Sequence, residues 1–150
     1  LPISEGKTGI IAGSNISGKE VGFKGVLGTG IYRIFDMDIG QTGLSELEAK
    51  EQGYDAIAIR SQSLNKPEIM GGKPITIKII ADKKDGRLLG AQVIGYEGVD
   101  KRLDVLVAAI TLNGKAEDLM FMDLAYSPPY SSVRDPIYYA AVKLIAALEK

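Results

Sequence analysis

Pro74-Ile-Thr-Ile-Lys-Ile-Ile-Ala-Asp82 and Arg87-Leu-Leu-Gly-Ala-Gln-Val-Ile-Gly95 flank the tetrapeptide Lys83-Lys-Asp-Gly86. Runs rich in isoleucine and valine suit a pleated, half-buried surface. An Asp-Gly step between two such runs marks a β-hairpin, because glycine takes the positive φ that a tight reversal demands. The hairpin sets antiparallel pairing, and the remaining elements are read outward from it. Upstream, Tyr54-Asp-Ala-Ile-Ala-Ile-Arg60 reads as a further strand. Ahead of it, Ser45-Glu-Leu-Glu48 forms a capping box for a short helix, with Gly53 where a C′ glycine belongs. Gly28 to Gly43 is β-rich and punctuated by glycines that suggest a bend or bulge.

Downstream, Val99 to Asn113 places Leu103, Leu106, Val107 and Ile110 at helical spacing and is closed by Gly114. Lys115 to Asp123 reads as a second, shorter helix. Asp135 as N-cap and Pro136 in the first turn open a last helix, Ile137 to Leu148. Strand, short helix, strand, hairpin and then helices predict an α+β fold, an antiparallel sheet with helices packed on one face. The last helix is apolar nearly all round, with Lys143 its only charge before Glu149. Such a helix is either deeply buried or docked on a second chain.

Residues 1–24 have a different character. Thr8 to Ser17 carries small or apolar residues along one helical face, and three glycines between positions 6 and 13 weaken it as a free-standing helix. The chain opens on Leu1-Pro2 without a Met, so this stretch is expected to be the tail of a preceding domain.

Composition narrows the function classes. At 150 residues, the chain has room for one domain or one domain plus a remnant of another. Hydrophobic residues make up 45% and charged residues 25%, as in an ordinary soluble core. A net charge of −1 with no basic patch argues against nucleic acid as a partner. No leader and no apolar run of about 18 residues is visible, so the expectation is a cytoplasmic protein with no membrane contact. Without a secretion signal, the Asn15-Ile-Ser17 sequon carries no weight. The chain has no Cys and no His, which excludes disulfides, zinc sites with Cys or His ligands, and Cys–His nucleophile–base pairs within it. Any enzymatic role therefore rests on a cofactor or on residues outside these 150.

Four short motifs invite a reading as sites and fall short of its requirements. Gly6-Lys7-Thr8 lacks the Walker A glycine, since Leu1 stands in its place. Gly28-Thr-Gly30 would need its third fingerprint glycine at Arg33. Asp36 and Asp38 are expected on one face of a strand, without the further oxygen ligands that a hard cation requires, so no metal site is expected. Asp100 and Asp104, beside Lys101 and Arg102, read as surface charges with local pairing.

One segment stands apart. Ala125-Tyr-Ser-Pro-Pro-Tyr-Ser-Ser-Val-Arg-Asp-Pro136 lies between two helical patterns, and Pro128, Pro129 and Pro136 fix φ and remove three backbone donors. The result is a stiff loop presenting Tyr126, Tyr130 and Arg134. Composition allows two readings: a structural corner, or a surface made to contact something outside its own core.

Taken in order, Thr42-Gly-Leu-Ser-Glu46, Gly90-Ala-Gln-Val-Ile-Gly95, Val99-Asp-Lys-Arg-Leu-Asp-Val-Leu106 and Ala125 to Pro136 resemble the C-terminal dimerisation domain of FAD-dependent pyridine nucleotide-disulfide oxidoreductases. The match is to the branch holding NADH oxidases, coenzyme A-disulfide reductases and NADH-dependent sulfur or polysulfide reductases. It covers residues 26 to 145, while Leu1 to Ser4 and the helix after them resemble the end of the family's FAD domain. The resemblance implies an FAD-domain remnant over 1–24 and a dimerisation domain over 25–150. It implies a homodimer whose parent enzyme uses FAD and NAD(P)H, with a small disulfide, polysulfide or oxygen as acceptor. The isolated chain would be inactive and hold neither cofactor tightly.

In residue terms, the resemblance implies that Tyr126 reaches the partner subunit's redox cysteine, with Tyr130 and Arg134 as its catalytic neighbours. It also places Ile3 and Ser4 at the flavin, with a helix N-terminus facing the ring. Two departures are informative. The glutathione-reductase branch uses a His-Pro pair that this chain lacks, and Pro67-Glu-Ile-Met-Gly71 replaces the Tyr-Tyr-Pro-Gly segment common in coenzyme A-disulfide reductases. The competing reading is a stand-alone α+β interaction or ligand-binding module without enzymatic activity.

Overall fold

The computed structural model describes residues 2–150, with side chains from Gly6 onward. The expected hairpin is its centre: β4 (Pro74–Asp82) pairs antiparallel with β5 (Leu88–Gly95), with Ile77 opposite Val93 and Ile79 opposite Ala91. A register shift at Ile80/Ala81 precedes the turn, where Gly86 takes φ +73°. The side chains of Asp82 and Asp85 accept the backbone N–H groups of Lys84 and Arg87, so donors freed by the turn are satisfied locally. Around this pair, β1 (Gly30–Ile34), β2 (Met37–Gly43) and β3 (Ala56–Leu64) complete an antiparallel sheet in the order β1-β2-β5-β4-β3.

Strand alternation decides the layers. Ile75, Ile77, Ile79 and Ala81 share one face with Ala91 and Val93, and all are buried. That face is covered by α3 (Val99–Thr111), α4 (Ala116–Phe121) and α5 (Pro136–Leu148) through Val99, Leu103, Leu106, Leu119, Ile137 and Leu144. Each such aliphatic side chain contributes about 1.5–3 kcal/mol by leaving water. The α+β architecture with the large helices on one face is thus present. On the opposite face, α2 (Glu46–Glu51) covers only a small cluster of Ala49, Ile80 and Leu89.

Local signals account for most element ends. The capping box forms as read: the Glu48 N–H donates to Ser45 Oγ at 3.2 Å, and the Ser45 N–H donates to the Glu48 carboxylate at 2.8 Å. Gly53 at φ +85° donates to Lys50 O, and Tyr54 donates to Ala49 O. These two bonds make a Schellman cap, so Tyr54 belongs to the helix end and β3 starts later than the sequence indicates. Ser45→Ala is expected to cost about 1 kcal/mol in urea titration. The N–H donated by Ser45 holds the Glu48 carboxyl below its ordinary range, so its stabilising effect is present at neutral pH and is lost as pH falls through the lowered value. Glu48→Gln should accordingly flatten the acid limb of the stability curve.

Two expectations are corrected. Asp36 and Asp38 do not share a strand face: residues 35–36 form a two-residue hairpin loop with Phe35 at φ +55°, and Asp38 alone stays in a strand, paired with Arg33 at 2.6 Å. Asn113, at φ +56°, takes the left-handed position at the end of α3, and Gly114 follows it with its N–H on Ala109 O. Of the two readings of the apolar α5, deep burial all round is excluded, because only one face is covered. Ile137, Ala140, Ala141 and Leu144 face the sheet, while Tyr139 and Val142 face outward.

Residues Pro2–Ile16 form a helix, α1, despite the glycines, with Ile10 72% and Ile16 88% exposed. Asn15 ties its end to the following segment by donating to Val21 O and accepting from the Val21 N–H.

Candidate functional site

The proline-braced segment leaves α4 and enters α5 as an ordered loop. Within it, Ser127 O accepts the N–H groups of Tyr130 and Ser131 at 2.9 and 3.0 Å, closing a turn over Pro128 and Pro129. Asp135 caps α5 by accepting the Ile137 N–H at 3.0 Å, and Pro136 occupies the first turn.

The anchor of this loop is a residue that the sequence reading placed at the surface. Arg102 is 1% exposed. Its Nε and Nη2 donate to the Asp135 carboxylate, with Nη2 at 2.8 Å from Oδ2. Nη1 donates to Gly98 O at 3.1 Å, and Nη2 donates to Asn65 O at 2.9 Å. Ser131 Oγ donates to Asp135 Oδ2 at 2.8 Å. A buried guanidinium is tolerated only when paired and surrounded by acceptors, and here both conditions are met. The missed signal was one of phase. Position 102 lies on the buried α3 stripe with Val99, Leu103 and Leu106, so the helical period itself pointed it inward.

The tyrosines face the other way. Tyr126 is 50% exposed and Tyr130 73%, and neither phenol hydroxyl has a hydrogen-bond partner among the described residues. Arg134 is also exposed, but its guanidinium lies 5.2 Å from the Tyr138 ring centre, which engages it with α5. The loop thus presents all three expected residues from one segment, with Arg134 committed to Tyr138. A concavity of about 480 Å³ near Gly43, Tyr54, Arg87 and Gln92 has no loop residue in its lining. The side chains of Ile3 and Ser4, read as flavin contacts, lie outside the described residues; the backbone of α1 begins at Pro2. Among the described residues, no group of three or more carboxylates is placed to hold a metal ion, and no helix is long and apolar enough to cross a membrane.

The fold is of α+β class: a five-stranded antiparallel sheet with three helices on one face, and a loop between α4 and α5 on which Tyr126 and Tyr130 are exposed. The chain belongs to the family described as pyridine nucleotide-disulphide oxidoreductase, dimerisation domain, whose model matches residues 31–136. It is 44% identical over 136 residues to the NAD(P)H sulfur oxidoreductase (CoA-dependent) of Pyrococcus furiosus, covering 90% of this chain and 30% of that protein. It is 33% identical over 128 residues to the coenzyme A disulfide reductase of Staphylococcus epidermidis, covering 85% of this chain and 29% of that one. Among solved structures, an NAD-dependent persulfide reductase from A. fulgidus superposes with a TM-score of 0.90 at 35% identity, over 95% of this chain and 27% of that one. The chain spans under a third of the length of these relatives.

Proposed function

We propose that this chain is the dimerisation domain of an FAD-dependent NAD(P)H oxidoreductase that reduces a disulfide, a polysulfide or oxygen, and that its loop carries Tyr126 to the redox site of a second subunit. The observation that carries this reading is a half-exposed phenol with no partner of its own, on a loop fastened to the core by a buried ion pair. Residues 1–24 are then the end of an FAD-binding domain and 25–150 the dimerisation domain. The exposed Ile10 and Ile16 of α1 agree with a helix that packs on something beyond this sheet.

Among the described residues no strand-to-helix turn carries a full G-x-G-x-x-G: Gly95 and Gly98 link β5 to α3, but Val93 stands where the first glycine belongs, and Gly28-Thr-Gly30 leads into β1. FAD and NAD(P)H are therefore assigned to the rest of the parent enzyme, with Ile3 and Ser4 as this chain's contacts to the flavin. The contribution of the chain itself is the phenol. Tyr126 donates its O–H to an acceptor sulfur or to the thiolate that develops beside it, while Tyr130 borders the same surface and Arg134 adds positive charge.

A hydrogen bond to a charged group is worth about 1.5–3 kcal/mol. Tyr126→Phe in the intact enzyme should therefore lower kcat/KM for the acceptor about 10- to 100-fold, with flavin reduction by NAD(P)H unchanged. Unaltered turnover on disulfide, polysulfide and oxygen alike would remove the hydroxyl from the chemistry. Light scattering of the chain should give a dimer, and purification as a yellow flavin-loaded monomer would contradict the reading.

A further inference from the structure

We propose that the adjacent α3 residues Lys101 and Arg102 form a two-point clamp that positions the tyrosine loop, making both of them positioning residues for Tyr126; the inference rests on the functional reading above. Lys101 Nζ donates to the carbonyl of Ala125, the residue just before Tyr126, at 3.4 Å. Arg102 reaches Ser131 Oγ, the residue just after Tyr130, at 3.4 Å, and holds Asp135 by two donors. The five residues 126–130 are thereby pinned at both ends to one helical turn. Between the pins, Pro128 and Pro129 remove backbone freedom, and the Tyr130 and Ser131 amides close on Ser127 O. Each phenol sits next to a pin, so its position follows α3.

The same guanidinium joins a second loop to the first. Arg102 Nη2 donates to Asn65 O, and Asn65 in turn accepts the Lys73 N–H at 2.7 Å and donates to Glu97 O at 3.3 Å. Segment 65–73 between β3 and β4 and the tyrosine loop therefore share one anchor. Gly98 makes room for it: at φ +72°, a Cβ there would collide with Arg102 Nη1. Lysine cannot replace this arrangement, since a point charge cannot donate to Asp135, Ser131, Gly98 O and Asn65 O from one planar fork. Placing a reacting group with a buried, hydrogen-bonded support is how such a group is kept in register.

The test separates clamp from core. Hydrogen exchange is measured on the chain for Arg102→Lys and Lys101→Met. The expected result is at least about tenfold faster exchange at the Tyr130 and Ser131 amides, with Ile77 and Ile79 in the central strand unchanged. Lys101 is partly exposed, so its variant stays informative if Arg102→Lys fails to fold. Loop exchange unchanged in every variant that folds would overturn the clamp. In the intact enzyme, the loss of acceptor kcat in Arg102→Lys should largely disappear in a Tyr126→Phe background, because residues acting through one group are not additive. Full additivity would refute positioning through Tyr126. If Tyr126→Phe alone has no effect, the functional reading fails, and the exchange result still decides the clamp.

Discussion

Arg102→Met should lower the unfolding free energy by about 3–5 kcal/mol, because it leaves the Asp135 carboxylate in the core without its cation. All four acceptor groups that Arg102 satisfies lie outside Val99–Thr111: the Asp135 carboxylate, Ser131 Oγ, Asn65 O and the carbonyl of the N-cap residue Gly98. The loss therefore includes the cost of unsatisfied groups as well as that of the ion pair. Asp135 also caps α5, so Asp135→Asn should be milder, since the amide oxygen still accepts from the Ile137 N–H. Urea titration checks both, with the slope unchanged and the midpoint shifted. An Arg102→Met loss below about 1 kcal/mol, the level of a solvated surface pair, would mean that the pair is open to water in solution.

Gly90→Ala should cost about 3 kcal/mol, at the upper end of overpacking effects, because nothing at that site can yield cheaply. Gly90 lies in β5 between Gly43 of β2 and Ile80 of β4. A Cβ there would run into the Leu44 carbonyl oxygen and meet Leu44 N at 2.7 Å, and both are backbone atoms. Gly53→Ala is the control. Its φ is +85° with open space around it, so it should lose only the left-handed strain of about 1–2 kcal/mol. Equal losses at the two sites would show that the corner between β2 and α2 relaxes.

These two sites differ in how visible they were beforehand. Gly90 drew attention as part of a stretch that carries the family resemblance, but its tight fit against Leu44 depends on β2 lying beside β5, a pairing between distant segments. Arg102 carried a usable signal in its helical phase, yet a charged residue flanked by Lys101 and Asp104 looks solvated until its partner is known. The partner, Asp135, was correctly read as an N-cap, because capping is decided within a few residues. The same distinction explains the β1–β2 turn. Phe35-Asp36 has none of the usual Gly or Asn signals, so the reversal is imposed by pairing of the flanking strands. Asn113 displaced Gly114 as the left-handed residue because Asn tolerates that conformation nearly as well.

The chain alone determined the central hairpin, the capping box at Ser45, the Asp135-Pro136 start of α5 and the stiffness of a loop with two exposed tyrosines. Each follows from neighbours within a turn or two, where φ restrictions and local hydrogen bonds decide the outcome. It also determined, by having no Cys and no His, that redox or acid–base chemistry of those kinds is not carried by these 150 residues. The tertiary structure decided the strand order, which helix faces are covered, and that Arg102 is a buried anchor. Those outcomes depend on which distant groups can satisfy a charge removed from water, and only the assembled fold brings Asn65, Gly98, Ser131 and Asp135 around one guanidinium.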